Sequence, residues 1–294
     1  MASSLGVTLA AIAACCLAGQ ALTIRLATRQ GRTVDILVVV MGVNVVVLVP
    51  LTVLFVPDPV LTPRSVAAFA AAGIVGTMLG RLCYYAGIKR IGASRAEPIK
   101  ASMPLHATIL AVLVLGEAVT GAGIIGVVLI VAGIALVSWE GRNASVDGDT
   151  ALVGLALPLA AAFMFALEPI FATIGLQEGT HALVGLTIKT IAALGVFVGY
   201  LAWQDSIPRP SDLPRGEVRW YVLAGVMSTS FLLAYYAGLS VSRVAIVVPI
   251  MQTSPLLVLL ASAVLLQGVE RVTPRLVLAA TIVVVGAITV TLGG

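Results

Sequence analysis

Six ionisable side chains stand inside apolar stretches of this chain: Arg81, Glu97, Lys100, His106, Glu168 and Lys189. In hydrocarbon such a group costs several kcal/mol unless it is paired or hydrated, so each is a candidate for binding a solute or carrying a proton. The cations Arg81, Lys100 and Lys189 outnumber the carboxylates Glu97 and Glu168, and a carboxylate or phosphate would answer the surplus. Helical spacing sets Arg81, Tyr84 and Tyr85 on one face, and Glu97, Lys100 and Pro104 on another. Glu97 and Lys100 could equally neutralise each other at i, i+3. His106 falls nearly opposite and reads as a packing residue.

Glu168 has two readings. Within a span it could take up a proton on one side and release it on the other; paired with Lys189 it would instead join neighbouring helices. The candidate substrate-binding residues are thus Arg81, Tyr84, Tyr85, Glu97, Lys100, Glu168 and Lys189, with Glu168 also the candidate for coupling to protons. The spans carry no His/Asp/Glu cluster, no serine–lysine pair and no phosphate-binding glycine loop, so no catalytic residue, metal or cofactor is expected. Cys15, Cys16 and Cys83 lack metal or redox spacing and read as small apolar residues.

The elements that hold these groups come in two copies. Tyr84-Tyr85-Ala86-Gly87 recurs as Tyr235-Tyr236-Ala237-Gly238. At the same offset of 151, Pro98 matches Pro249 and Pro104-Leu105 matches Pro255-Leu256. Two residues out of register, Glu117 matches Glu270 and Gly133 matches Gly286. The repeat also tests the charges, because Arg81 corresponds to Leu232, Glu97 to Val248, Lys100 to Met251 and His106 to Leu257. Charges that the fold itself required would appear in both copies; one-sided charges point to an asymmetric ligand site. A looser alignment sets Gln20 opposite Glu168 and Met41 opposite Lys189. Of each tyrosine pair, one member is expected to pack and the other to turn its hydroxyl to a cavity.

Of 294 residues, 60% are hydrophobic and 10% charged, with a mean hydropathy of +1.12. That is too little charge to cover a water-soluble domain. The apolar segments are long and lack two-residue alternation, which favours helices over a barrel. The first five spans are predicted at about 5–25, 34–56, 65–89, 94–115 and 120–139, and the second five at about 151–175, 182–203, 217–239, 244–267 and 274–292. Thr120 and Thr273-Pro274 read as helix N-caps. Five spans per copy force the second copy to start on the opposite side. The predicted fold is therefore an all-α integral membrane protein of ten transmembrane helices in two inverted five-helix repeats, 1–140 and 151–294, joined by a polar linker, 141–150. Basic residues gather at the odd-numbered connections, which by the positive-inside rule sets both termini outside. The net charge of +4 is scattered through short loops and does not form a nucleic-acid surface.

Ala93-Ser94-Arg95-Ala96-Glu97-Pro98 opens the fourth helix, Pro104 follows within it, Leu115-Gly116-Glu117 closes it, and Gly126 to Gly133 lie in the fifth. This pattern resembles the EamA family of the drug/metabolite transporter superfamily, with a weaker second copy in Pro249, Pro255, Glu270 and Gly286. The resemblance covers nearly the whole chain. It implies ten helices, a central cavity shared by the halves, and secondary transport, often export of amino acids or other metabolites. It also implies cytoplasmic termini, opposite to the charge count. Small multidrug members of that superfamily carry a functional membrane carboxylate on the first helix; Glu168 resembles it in the second half, whereas Gln20 stands in the first.

Residues and resemblance together predict a transporter moving a small polar metabolite, anionic or zwitterionic, across the cell membrane by alternating access. Its partners would be the lipid bilayer and a small-molecule substrate, with protons the candidate coupling ion. A flippase for a lipid-linked polar head group is the alternative, and an intramembrane enzyme a less supported one.

Overall fold

Long runs of Leu, Val, Ile and Ala offer the backbone no water to bond with, so each run closes its hydrogen bonds internally as helix. The computed structural model describes residues 4–27, 33–91, 96, 99–100, 102–139, 148–208, 216–254, 256–258 and 274–293. Among these, the first half contains α1 (Ser4–Ala27), α2 (Thr33–Phe55), α3 (the continuous stretches Pro63–Ala71, Ala72–Leu79 and Gly80–Ile91), α4 (Met103–Leu115) and α5 (Gly121–Trp139). The second contains α6 (Gly148–Gln177), α7 (Ala182–Trp203), α8 (Val218–Val241), α9 (Val244–Met251) and α10 (Pro274–Gly293). Among the described residues the chain is thus all-helical, with ten helices of the kind a membrane protein uses. By length and composition α1, α2, α3, α6, α7 and α8 each suffice to cross a bilayer, while α4, α5, α9 and α10 are shorter apolar helices within the described residues. Thr120 caps α5 through its hydroxyl and the Gly123 N–H, 3.1 Å apart. Thr273 and most of the 141–150 join lie outside the described residues.

The packing displays the inversion directly. Gly126 of α5 lies against Gly286 and Val290 of α10, and Gly133 against Val283 and Ala279, so these equivalent helices run antiparallel. The second pair of equivalents, α2 and α7, is antiparallel too: Thr52 meets Leu183 and Thr187, whereas Met41 packs with Ala193 and Phe197. The other main contacts exchange under the same two-fold. Helix α1 packs on α8, and its counterpart α6 packs on α3, the counterpart of α8.

Two helices are broken at matching places. Before α4, Ser102 N–H bonds to the Ile99 carbonyl and Leu105 N–H to the Ser102 carbonyl, at 3.1 and 3.0 Å. After α9, Thr253 N–H bonds to Ile250 and Leu256 N–H to Thr253, again at 3.1 and 3.0 Å. The breaks therefore carry the same three-residue turns at the 151 offset, next to Pro104 and Pro255. Proline lacks the N–H that would continue the helical ladder. At each place the turn ends one helical piece and starts another.

Helix α3 also departs from regular geometry. Its middle, Ala72–Leu79, is a π-helical stretch with Gly80 N–H bonded back to Val75. This stretch carries glycines at the tightest approaches in the region. A Cβ on Gly73 would land on the Lys189 carbonyl oxygen, and one on Gly76 on the Glu168 side chain. Gly76→Ala is expected to destabilise the fold by about 1–3 kcal/mol through overpacking. Gly42→Ala, where nothing lies within 4 Å, should be neutral or mildly stabilising. Thermal unfolding of the two purified variants checks the contrast.

At the membrane face that carries both termini, polar ties link the halves. Thr62 and Arg64 bind Glu178, the Arg64 pair at 3.0 Å, and Thr180 donates to the Val60 carbonyl. Glu117 accepts from Val244 and Ala245 N–H at 2.9 and 3.0 Å, and Arg243 donates to the Ala118 carbonyl. Glu117, between α4 and α5, thus caps α9 of the other half. An N-terminus presents unpaired N–H groups wherever a carboxylate can reach them.

Candidate functional site

The most polar buried cluster lies where α6, α7 and α8 meet. Lys189 Nζ donates to Glu168 Oε1 at 2.6 Å, with the two side chains 6% and 10% exposed. Tyr236 donates to the same oxygen at 3.0 Å, and Tyr235 to Oε2 at 3.1 Å. The ammonium also sits 5.0 Å from the centre of the Tyr236 ring, a favourable place for a cation. Charge and hydrogen-bonding capacity are thus answered within the cluster, which is what allows it to be buried. The glycines of the α3 π stretch let that helix close over both residues.

A second group gathers around α3 and the α4 break. Lys100 stands with its ammonium 4.8 Å over the ring of Tyr84. Tyr84 is buried against Ala96 and Ala161, with Phe165 alongside. Arg81, one turn earlier on α3, is half-buried and has no ion-pair partner among the described residues. Glu97 and the side chain of Tyr85 lie outside the described residues. His106 bonds through Nδ1 to the Ser102 carbonyl at 2.9 Å and meets Phe163 edge-on, so it packs and braces the break.

The named residues therefore divide. Glu168 and Lys189 are brought together with each other, and Tyr84 with Lys100, in different regions. The sequence reading missed Tyr235 and Tyr236 as donors to Glu168, although their repetition marked them. It also missed Asn44, buried on α2 with its carboxamide 3.2 Å from the Ser228 and 2.9 Å from the Thr229 hydroxyls on α8. A lone Asn within an apolar run was the available signal. A hollow of about 540 Å³ opens between the ends of α6 and α8, lined by Glu117, Thr173, Gln177, Ser242 and Arg243. It lies at the tied membrane face, away from the second group.

A model of the EamA-like transporter family matches residues 4–139 and again residues 152–292. The chain belongs to the EamA-like transporter family. Its two matched segments are the two halves related by the antiparallel packing above, so this EamA protein is a multi-pass membrane transporter of the drug/metabolite type. A solved crystal structure, described only as that of a protein, has the same fold: the match covers 99% of this chain and 97% of the other, at a TM-score of 0.81 and 15% identity. No curated protein matches the sequence.

Proposed function

We propose that the protein is a secondary transporter that moves a small polar metabolite, anionic or zwitterionic, across the cell membrane by alternating access. The observation that carries this reading is the replacement of two core residues by cations between the repeats. Leu232 and Met251 are 9% and 3% exposed in the central apolar cluster. Arg81 and Lys100 hold the equivalent places in the first half and are half-buried. Interior positions with polar heads and incomplete burial fit a hydrated cavity, and two cations there suit a carboxylate or phosphate.

The position of Lys100 just before the α4 break supports the reading, because discontinuous helices line the sites of many secondary transporters. Alternating access is supported by the polar ties between halves at the terminal face, which can close that side while the other admits solute. In this reading Glu168 and Lys189 support the bundle, since each already holds the other and both are buried. A coupling proton at Glu168 would compete with the Lys189 ammonium for the same carboxylate.

A thermal-shift screen of purified protein against amino acids, sugar phosphates, nucleotides and polyamines tests the proposal. A ligand at 100 times its dissociation constant stabilises the state it binds by about 2.7 kcal/mol. Anionic or zwitterionic compounds should raise the midpoint in a concentration-dependent way. Stabilisation by polyamines alone would contradict it.

A further inference from the structure

The hollow at the terminal face is polar beyond what the fold requires. Two residues that line it, Thr173 of α6 and Ser242 just after α8, hold buried hydroxyls without a hydrogen-bond partner among the described residues. Threonines elsewhere in the bundle avoid this state. Thr108, Thr187, Thr190 and Thr229 each donate to the carbonyl four residues back. A buried hydroxyl left without a bond is costly, and it calls for an explanation.

The repeat separates structural groups from the rest. Glu117, which caps α9, recurs as Glu270 in the other half. Thr173, Ser242 and Arg243 instead correspond to Arg25, Ile91 and Gly92. The capping carboxylate is thus kept twice, whereas the two hydroxyls and the guanidinium occur once, as expected of a ligand site. Both charged groups at the hollow have bonding capacity to spare. Arg243 donates to the Ala118 carbonyl from one of its five N–H groups. Each Glu117 oxygen accepts one N–H, from Val244 or Ala245, and keeps a further lone pair. Leu176, Leu239 and Val241 complete the lining. A cation, a carboxylate and an apolar wall around one hollow match a small zwitterion with an apolar body. The volume of about 540 Å³ admits a solute of amino-acid size.

We propose that the hollow is a second solute site, where a small zwitterion docks at the closed face with its carboxylate on Arg243 and its ammonium on Glu117. Thr173 and Ser242 turn about χ1 to give it the hydrogen bonds they lack. The site is separate from Arg81 and Lys100 and does not depend on them. It does share residues with the ties between the halves, since Arg243 holds Ala118 and Glu117 holds α9. A guest there therefore bears on whether that face opens.

The test measures binding of radiolabelled leucine by equilibrium dialysis of purified Lys100→Met protein, in which the proposed central site is disabled. Leucine should still bind. Adding Arg243→Gln or Thr173→Val should each weaken that binding by at least about tenfold. Thr173→Val also removes the unbonded hydroxyl at nearly constant volume, so without ligand it should raise the thermal midpoint. Two competitors each lack one charge of leucine: 4-methylpentanoate the ammonium, 3-methylbutylamine the carboxylate. Each should compete at least about tenfold more weakly than leucine. Loss of all binding in Lys100→Met alone would overturn the hollow while leaving the central site standing. Undiminished binding after Arg243→Gln or Thr173→Val, or a lower midpoint for Thr173→Val, would also overturn it. A competitor equal to leucine would overturn the zwitterion.

Discussion

Lys189→Met is expected to destabilise the folded protein by about 3–5 kcal/mol, because it strands the Glu168 carboxylate inside the bundle. Glu168→Gln should cost a similar amount by leaving the Lys189 ammonium unpaired. The double variant, Glu168→Gln with Lys189→Met, reproduces the pair that the first half uses at Gln20 and Met41. It should lie within about 1 kcal/mol of wild type, since exchanging a whole buried pair is often nearly neutral. Denaturation of the four proteins in one detergent gives the coupling energy. Additive losses would mean that the 2.6 Å pair contributes little as a pair. A Glu168→Gln protein that folds and transports, but no longer responds to an imposed pH difference, would move Glu168 from support to proton coupling.

Much of the architecture was legible because membrane physics leaves few options. Apolar runs must be helices, and an odd number of them per repeat must invert. The YYAG and proline repeats located the equivalences that α5·α10 and α2·α7 then display in space. The breaks at Ser102 and Thr253 were only half legible: proline marks a lost hydrogen bond, but whether the chain kinks or restarts depends on the turn that replaces it. The Glu168–Lys189 pair was visible as one of two readings, and sequence alone could not choose, since the residues lie on different helices. The tyrosine donors were hidden for the same reason. Glu117 shows the limit most clearly. Its charge suits any helix N-terminus, and only the tertiary fold selects α9, which lies more than a hundred residues away.

Arg81→Leu and Lys100→Met are each expected to reduce transport by at least about tenfold, the loss of one charge-assisted contact of roughly 1.5–3 kcal/mol. Both substitutions copy the repeat counterparts Leu232 and Met251, which already pack in the central cluster, so the proteins should remain folded and monodisperse. The effect should depend on substrate charge. A carboxylate-bearing solute that wild type transports should lose rate in both variants. The most direct measurement is counterflow in proteoliposomes of wild type, Arg81→Leu and Lys100→Met, loaded with the stabilising compound from the thermal-shift screen and compared with its uncharged amide. The account predicts counterflow of the charged compound by wild type alone, with the amide weak in all three. Undiminished counterflow in either folded variant, or equal exchange of the amide, would contradict a cationic site at Arg81 and Lys100.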